Sequence, residues 1–544
     1  MQHSDSTIQV DGQIFDVVNQ RIFMGSILIE DGKITGIEER QVDSDRLIMP
    51  GFIDAHVHIE SSLLVPTEFA RLALVHGTVA TVSDPHEIAN VLGMSGVSFM
   101  LENAVHSPLK FHFTAPSCVP ATPFETAGAE LTANNIQALL ERSEIVGLSE
   151  MMNVPGVLHH DDSVMAKLHI AHQASKPVDG HAPALEGQDA VRYINAGIST
   201  DHECISLPEA LHKLAHGMKV QIREGSAAQN LDDLLPLLED HYRNCMFCSD
   251  DKHPDDLELG HVNLMVKRAL AAGHDPLKVL WTACVTPVHH YKLDVGLLQT
   301  GDPADFIVVS DLKGLTIEET WIDGKRVAAG GKSKVEVPTI ACPNTFKAKP
   351  VKSEDFQVPV PGESLPVIQV IDRQLITDRL DWTHGQSGCV IQADPAQDIL
   401  KIAVLNRYQS AKPAVGFIRG FGLDEGALVS SVAHDSHNIV AVGTSDAYLA
   451  KAMNRIIETR GGLGAFDRSG ERVLPLPVAG IMSNENAFRV SRAYASLDRM
   501  AKAMGSTLRA PFMTLSFMAL LVIPKLKMSD NGLFDGERFE FVTR

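Results

Sequence analysis

The sequence predicts an α/β protein: a (β/α)8 barrel of the TIM type, a small β-sandwich formed by the segments on either side of it, and a C-terminal α/β domain. Three observations predict this. Between residues 51 and about 285, eight short apolar runs recur, most of them separated by stretches of helical periodicity. Short β-type runs crowd the segments before residue 50 and after residue 286. From residue 367 to 544 the character is again mixed α/β. A chain of 544 residues suggests roughly 3–4 units, with a barrel counting as one larger unit.

The elements follow in order. Residues 1–50 hold the runs Ile8–Val10, Ile14–Val18, Ser26–Glu30 and Ile34–Ile37, with Asp31-Gly32 as a hairpin turn. Residues 286–335 supply their partners: a strand up to Val309 and a hairpin over Glu319–Lys325. The barrel, 51–285, has runs ending at His56/His58, Ser83-Asp84, Ala115, Glu150, His181, His202, Arg223-Glu224 and Asp250-Asp251. Asn134–Arg142 and Leu207–His216 are among the helices between them. In such a barrel the strand C-termini share one mouth, so these polar ends are expected to converge. Residues 336–366 are rich in Pro, Lys and Ser and are expected as a linker or wrapping segment. In 367–544, strands are expected at Ile399–Leu405 and Ile439–Val442 and a helix at Ser445–Arg460. Phe512–Ile523, bracketed by Pro511 and Pro524, is too short to span a bilayer and reads as buried core.

Composition narrows the function classes. A formal net charge of −21 argues against a nucleic-acid backbone or an anionic membrane as partner. The start, Met-Gln-His-Ser-Asp-Ser, has no basic-then-apolar signal. Seven scattered cysteines suit a reducing cytoplasm. The Cys245/Cys248 pair has no second pair to complete a zinc site. Taken with His58-Ile59-Glu60 it imitates the H-x-E…P-C-x-x-C deaminase signature, but Asn244 stands where that signature has proline.

The chemistry starts at Pro50-Gly51-Phe52-Ile53-Asp54-Ala55-His56-Val57-His58. Residues two apart on a strand face the same way, so His56 and His58 present two imidazoles together. Glu150, His181, His202 and Asp250 end later strands. Each alone has an ordinary structural explanation; six imidazoles and carboxylates at successive barrel strand ends favour metal. Such donors suit Zn, Fe or Mn, and six exceed what one tetrahedral ion takes. They fit two divalent ions sharing a carboxylate, an arrangement that activates water at neutral pH. Asp84, His86 and Glu87 follow the second strand as an additional active-site group, able to bind a further metal or to gate the pocket. His434 and His437 read as turn or interface residues that could also close over the mouth.

These phrases resemble the amidohydrolase superfamily and, within it, the bacterial adenine deaminases. The resemblance runs through His56–Ser62, Val82–Gly93, Glu150–Asn153, Asp179–Pro183, Ser199–Cys204, Ile222–Ala228, Cys248–Asp251 and Val432–Ile439, covering essentially the whole chain. Many members of the wider superfamily carry a carboxylated lysine where this chain has Glu150. The resemblance implies hydrolysis of free adenine to hypoxanthine and ammonia, by attack of a metal-bound hydroxide on C6, with two Mn²⁺ or Fe²⁺ (or Zn²⁺) ions per chain. It implies Glu150 as the bridging ligand and Asp250 as ligand and proton relay. Glu203 is the candidate donor to N1, Arg223, Glu224 and Ser226 are candidates to contact the purine, and Asp251 to accept a ring N–H. A cytoplasmic homodimer is expected. The competing readings are another amidohydrolase opening a cyclic amide, and a barrel kept only as a scaffold; retention of all six ligands argues against the scaffold.

Overall fold

The computed structural model describes residues 7–542 apart from 339, 360, 361, 363 and 386–388. The polar start at 1–6 lies outside the described residues, as do 339, 360, 361 and 363 of the expected linker.

Eight parallel strands form the barrel: Phe52–Val57, Thr78–Ser83, Lys110–Ala115, Ile145–Met151, Val178–Gly180, Thr200–Asp201, Lys219–Arg223 and Cys245–Cys248. The first five make one sheet and the last three another. Two seams join them. Ser199 N donates to Val178 O at 2.8 Å, and Asp250 N donates to His56 O at 2.9 Å. The runs are short and apolar because both faces are covered, by the barrel interior on one side and helices on the other. Two glycines allow the approach this needs. A Cβ on Gly51 would stand 2.2 Å from Val79 Cγ1, and one on Gly180 would stand 2.4 Å from Thr200 O.

The helices start where local chemistry tells them to. Ala133–Leu140 opens with a capping box between Thr132 and Asn135. Leu207–Ala215 opens with Ser206 accepting from Glu209 N, and Pro208 sits in its first turn.

The segments flanking the barrel share one eight-stranded sheet. Leu47–Pro50 lies at the junction, parallel to Ile8–Asp16 and antiparallel to Phe306–Val309. The sheet curls until its two halves meet: Ile34 N donates to Asp302 O at 2.9 Å and Ala304 N to Gly32 O at 2.8 Å. Ile14, Ile27, Ile48, Phe306 and Val308 fill the interior. The expected hairpin is Ile317–Ile322 with Lys325–Ala329.

The C-terminal part has its own eight-stranded sheet, with Ile399–Leu405 and Ile439–Gly443 paired antiparallel at its centre. Helix Asp446–Thr459, capped by Ser445, packs on it through Leu449, Met453 and Ile456. The Pro- and Lys-rich segment before it lies against this sheet. Lys347 N donates to Arg407 O at 2.7 Å, and Asn454 exchanges hydrogen bonds with the backbone of Val351. Pro511–Phe517 is a buried helix. One apolar core runs from barrel residues such as Val57 and Ile88 into Phe512, Leu515 and Phe517, so the C-terminal domain docks on the barrel through buried apolar surface.

Candidate active site

His56 and His58 project from the end of the first strand and are 1% and 3% exposed. Their footing is Asp54, fully buried one turn of the pleat earlier. Asp54 Oδ1 accepts from Ser249 N at 3.0 Å, and its Oδ2 lies 2.7 Å from His261 Nε2. This ties the first strand to the eighth directly beneath the histidines. Asp250 has a φ of 53°, the left-handed region that Asp tolerates better than most residues. Its N–H donates to His56 O and its carbonyl accepts from His58 N at 3.3 Å, so the carboxylate turns toward the two rings.

The donors converge. His56 Nε2 lies 3.2 Å from His58 Nε2, and Asp250 Oδ1 lies 3.5 and 3.2 Å from the two. His58 Nδ1 is 3.2 Å from the carbonyl of Asp84; as donor there, it leaves the Nε2 lone pair free. Glu150 serves two groups. Its Oε1 is 3.3 Å from His58 Nε2, while Oε2 is 2.8 Å from His181 Nδ1 and 3.3 Å from His202 Nε2. Ligands bonded tetrahedrally at about 2.1 Å stand roughly 3.4 Å apart, so this spacing fits shared cations. The residues present therefore suit two divalent ions with Glu150 between them. Glu203 Oε1, at 3.6 and 3.5 Å from the His181 and His202 nitrogens, is a second carboxylate within reach of the second group.

Charge distribution agrees with a cation site. Burial opposes ionisation of Glu150, but the His181 imidazole holds its carboxyl well below the usual range. Burial likewise opposes ionisation of Asp250, and His56, His58 and Arg223 hold it well below. Burial works against a charged His202, yet Glu150 lifts it to about 9. The acids demand positive charge here, and protons or metal ions must supply it.

The other expected residues fall into three places. Arg223 is buried behind the acids: it is bidentate to Glu203, with Nη2 3.0 Å from Oε2, and Nη1 donates to Asp250 Oδ2 at 2.8 Å. Glu224 and Ser226 turn away from the cavity. Glu224 pairs with Arg268 at 2.5 Å, and Ser226 Oγ donates to Asp256 at 2.6 Å. Asp251 stays at the cavity and accepts from Ser61 Oγ. Asp84 holds His86 Nδ1 at 2.9 Å, and the same nitrogen is 3.5 Å from Glu150 Oε1. Glu87 faces His434 Nδ1 and His437 Nε2 of the C-terminal domain.

The cavity is small and closely lined. Its barrel side is His58, His86, Glu87, Glu150, His181, His202, Glu203, Asp250 and Asp251, with Met152. Its other side is Leu375, His434, Asp435, Phe517 and Leu520. Sequence reasoning missed Asp435, Leu375, Phe517 and Leu520. The signal for Asp435 was its place between His434 and His437. The apolar stretch holding Phe517 and Leu520 looked like any other core segment.

A barrel with clustered imidazoles and carboxylates at its strand ends, able to hold metal ions, is the architecture of a metal-dependent hydrolase. Residues 47–327 match the Amidohydrolase family model, and residues 374–540 match the Adenine deaminase C-terminal domain. The chain is 52% identical to an adenine deaminase of Salinibacter ruber over 99% of both chains. It is 51% identical to one of Sulfurovum sp. over 98% of this chain and 99% of that one, and 46% identical to one of Methanosarcina mazei over 98% of both. The chain belongs to the amidohydrolase family, and within it to the adenine deaminases.

Proposed function

We infer that this protein hydrolyses adenine to hypoxanthine and ammonia. Its end-to-end likeness to proteins named adenine deaminase carries the reaction. The placement of Glu150 between two imidazole groups carries the metal requirement. We assign His56, His58, Glu150, His181, His202 and Asp250 as ligands of two divalent ions, manganese or iron. Bound there, such ions acidify water to neutral pH and act as Lewis acids toward the substrate.

The chain's own groups do the rest. Asp250 carries an ionised carboxylate at the floor of the cavity, placed to take a proton from the attacking water and return it to the departing amine. Glu203 is held in one orientation by Arg223 and faces the cavity. We assign it to the N1 edge of the ring, where a proton must be present as aromaticity is lost. Arg223 braces both acids. Asp251 is left to accept an N–H of the base. Leu375, Phe517 and Leu520 give the ring an apolar wall and keep bulk water from the acids.

The division of the chain at 50/51, 285/286, 335/336 and 366/367 is a proposal supported by the sheets, which sort along it with minor overlap. The cytoplasmic setting is a proposal supported by seven free cysteines, five of them buried. No helix among the described residues is long and apolar enough to cross a membrane. The expected homodimer is checked by sedimentation.

The test is ammonia release from a purine panel by chelator-treated protein, before and after Mn²⁺ or Fe²⁺ is restored. Metal-dependent turnover of adenine is expected. Turnover of a cyclic amide without ammonia from adenine would overturn the assignment.

A further inference from the structure

Two unpartnered, buried polar atoms at the cavity belong to adjacent residues of the C-terminal domain: His434 Nε2 and Asp435 Oδ2. The nearest acid to His434 Nε2 is Asp251 Oδ1, at 4.0 Å, beyond hydrogen-bond reach. Asp435 Oδ1 lies 3.8 Å from His86 Nε2. A buried polar atom without a partner is costly. Two side by side on one wall of a small cavity need a reason.

The loop that presents them is fastened on every side. His434 N donates to Ser516 O at 3.2 Å and His437 N to Ala433 O at 2.7 Å. Tyr408 Oη donates to Ser436 O at 2.5 Å, and Asn438 Nδ2 to Thr126 O at 2.9 Å. The His434 ring stacks on Phe517, with centroids 4.4 Å apart and planes at 13°. Glu87 of the barrel faces His434 Nδ1 and His437 Nε2 together, so one nitrogen of each ring is engaged. What remains to His434 is Nε2 at the cavity. This is preorganisation for a ligand rather than a loose end.

The position selects the edge of the ligand. His86 spans the cavity wall, one nitrogen 3.5 Å from Glu150 and the other 3.8 Å from Asp435. Asp435 thus stands on the far side of the His86 ring from Glu150. A purine whose C6 faces the floor of the cavity turns its N3/N9 edge toward the C-terminal wall. That edge carries an unprotonated nitrogen at N3 and an N–H at N9.

We propose that His434 and Asp435 recognise this edge of the free base: Asp435, in place of Asp251, accepts the one ring N–H, at N9, and His434 Nε2 hydrogen-bonds N3 beside it, which leaves Asp251 the N–H of the 6-amino group. The inference rests on the adenine reading above and deepens it. A nucleoside has a sugar on N9, which removes the N–H, leaves Asp435 unpaired and collides with the wall. Discrimination of this type reaches ~10⁴-fold where a site is built to hydrogen-bond the missing group.

The experiment compares adenine with 9-methyladenine on the metal-loaded enzyme and its Asp435→Ala variant. The wild type should favour adenine by at least ~10² in kcat/KM. Asp435→Ala should lower kcat/KM for adenine ~10²-fold, mainly through KM, and leave 9-methyladenine nearly unchanged. Metal content should stay at the wild-type value. An equal loss on both substrates overturns the proposal, and so does loss of one ion per chain, which would make Asp435 a metal ligand. If the variant does not fold, inhibition of the wild type by hypoxanthine and 9-methylhypoxanthine decides: a gap of ~10² supports the proposal and equal inhibition overturns it. Wild type that releases no ammonia from adenine refutes the deaminase reading itself. Wild type that treats both bases alike refutes only the edge recognition.

Discussion

Arg223→Met keeps a long buried side chain and deletes the guanidinium that faces two carboxylates. Arg223 is 4% exposed, and burial opposes its charge, yet Glu203 and Asp250 hold its pKa well above the usual value. It donates to both oxygens of Glu203 and to Asp250 Oδ2. Deleting one partner of a buried ion pair costs about 3–5 kcal/mol. Asp250 keeps His56 and His58 as partners, so the loss falls chiefly on Glu203, and about 3 kcal/mol is expected. Urea unfolding of the metal-loaded variant reads that quantity. In the kinetics, a Glu203 freed from its brace should lower kcat ~10²-fold while KM stays within a few-fold. Arg223→Lys should recover only part of both, because an ammonium is a point charge and cannot grip two acids as a fork does. A variant with wild-type stability and only a raised KM would refute this reasoning. It would show Arg223 touching the purine itself, as the sequence alone had suggested.

His56→Asn should lower metal content and activity together while the far-UV circular dichroism persists; full activity in a metal-free variant would remove the site. Asp250→Asn should act on kcat and Asp251→Asn partly on KM, measured on adenine; equal and negligible effects would show the eighth strand end to be misassigned. Lys213→Met should destabilise by about 3–5 kcal/mol in thermal or urea unfolding. The Lys213 amine is buried against Asp201 at 2.8 Å and Glu209 at 2.7 Å, and Asp201 also holds the backbone next to His181. Lys527 is pushed down to about 7 by burial, so between about pH 7 and 10.5 the unfolded chain binds the extra proton and stability rises with pH. Against Lys527→Met, the wild type should show that upward slope between pH 7 and 9, and parallel profiles would contradict it.

The barrel was legible because its strands announce themselves twice. Most are short apolar runs, and most end in a residue the interior of a fold would not otherwise tolerate; the third, ending at Ala115, does not. Glu150, His202 and Asp250 stand out for that reason even where the strand is as short as Thr200–Asp201. Side-chain direction just beyond the strand ends was not legible. Glu224 follows the seventh strand as closely as His181 follows the fifth, and Ser226 comes two residues later, yet they point to Arg268 and Asp256. Their partners lie 44 and 30 residues further on. No local pattern carries such pairings. The link between Glu87 and the two C-terminal histidines spans 347 residues to His434, and only tertiary contact reveals it.

That link bears on why the chain is one polypeptide. The barrel mouth gathers Glu87, Glu150, Glu203, Asp250 and Asp251 around one small cavity, with Asp84 behind His86. Arg223 and, on the proposed assignment, two divalent ions would answer Glu150, Glu203 and Asp250, but Glu87 lies outside that group. Burial opposes its ionisation, and the charges that hold it well below the usual range come first from His434 and His437, then from His86. Burial in turn opposes a charged His434, and Glu87 lifts it to about 9. The barrel's Glu87 and the domain's His434 therefore stabilise each other across the joint, while burial pushes His437 down toward its neutral form. A barrel without the C-terminal domain would keep the six proposed ligands, but it would leave Glu87 without two of its partners and open the acids to water. Electrostatic contributions weaken steeply in a solvated site. The C-terminal domain thus lines one side of the cavity through Leu375, His434, Asp435, Phe517 and Leu520 and gives Glu87 its imidazole partners; on the proposal above, it also supplies the wall that meets the far edge of the base.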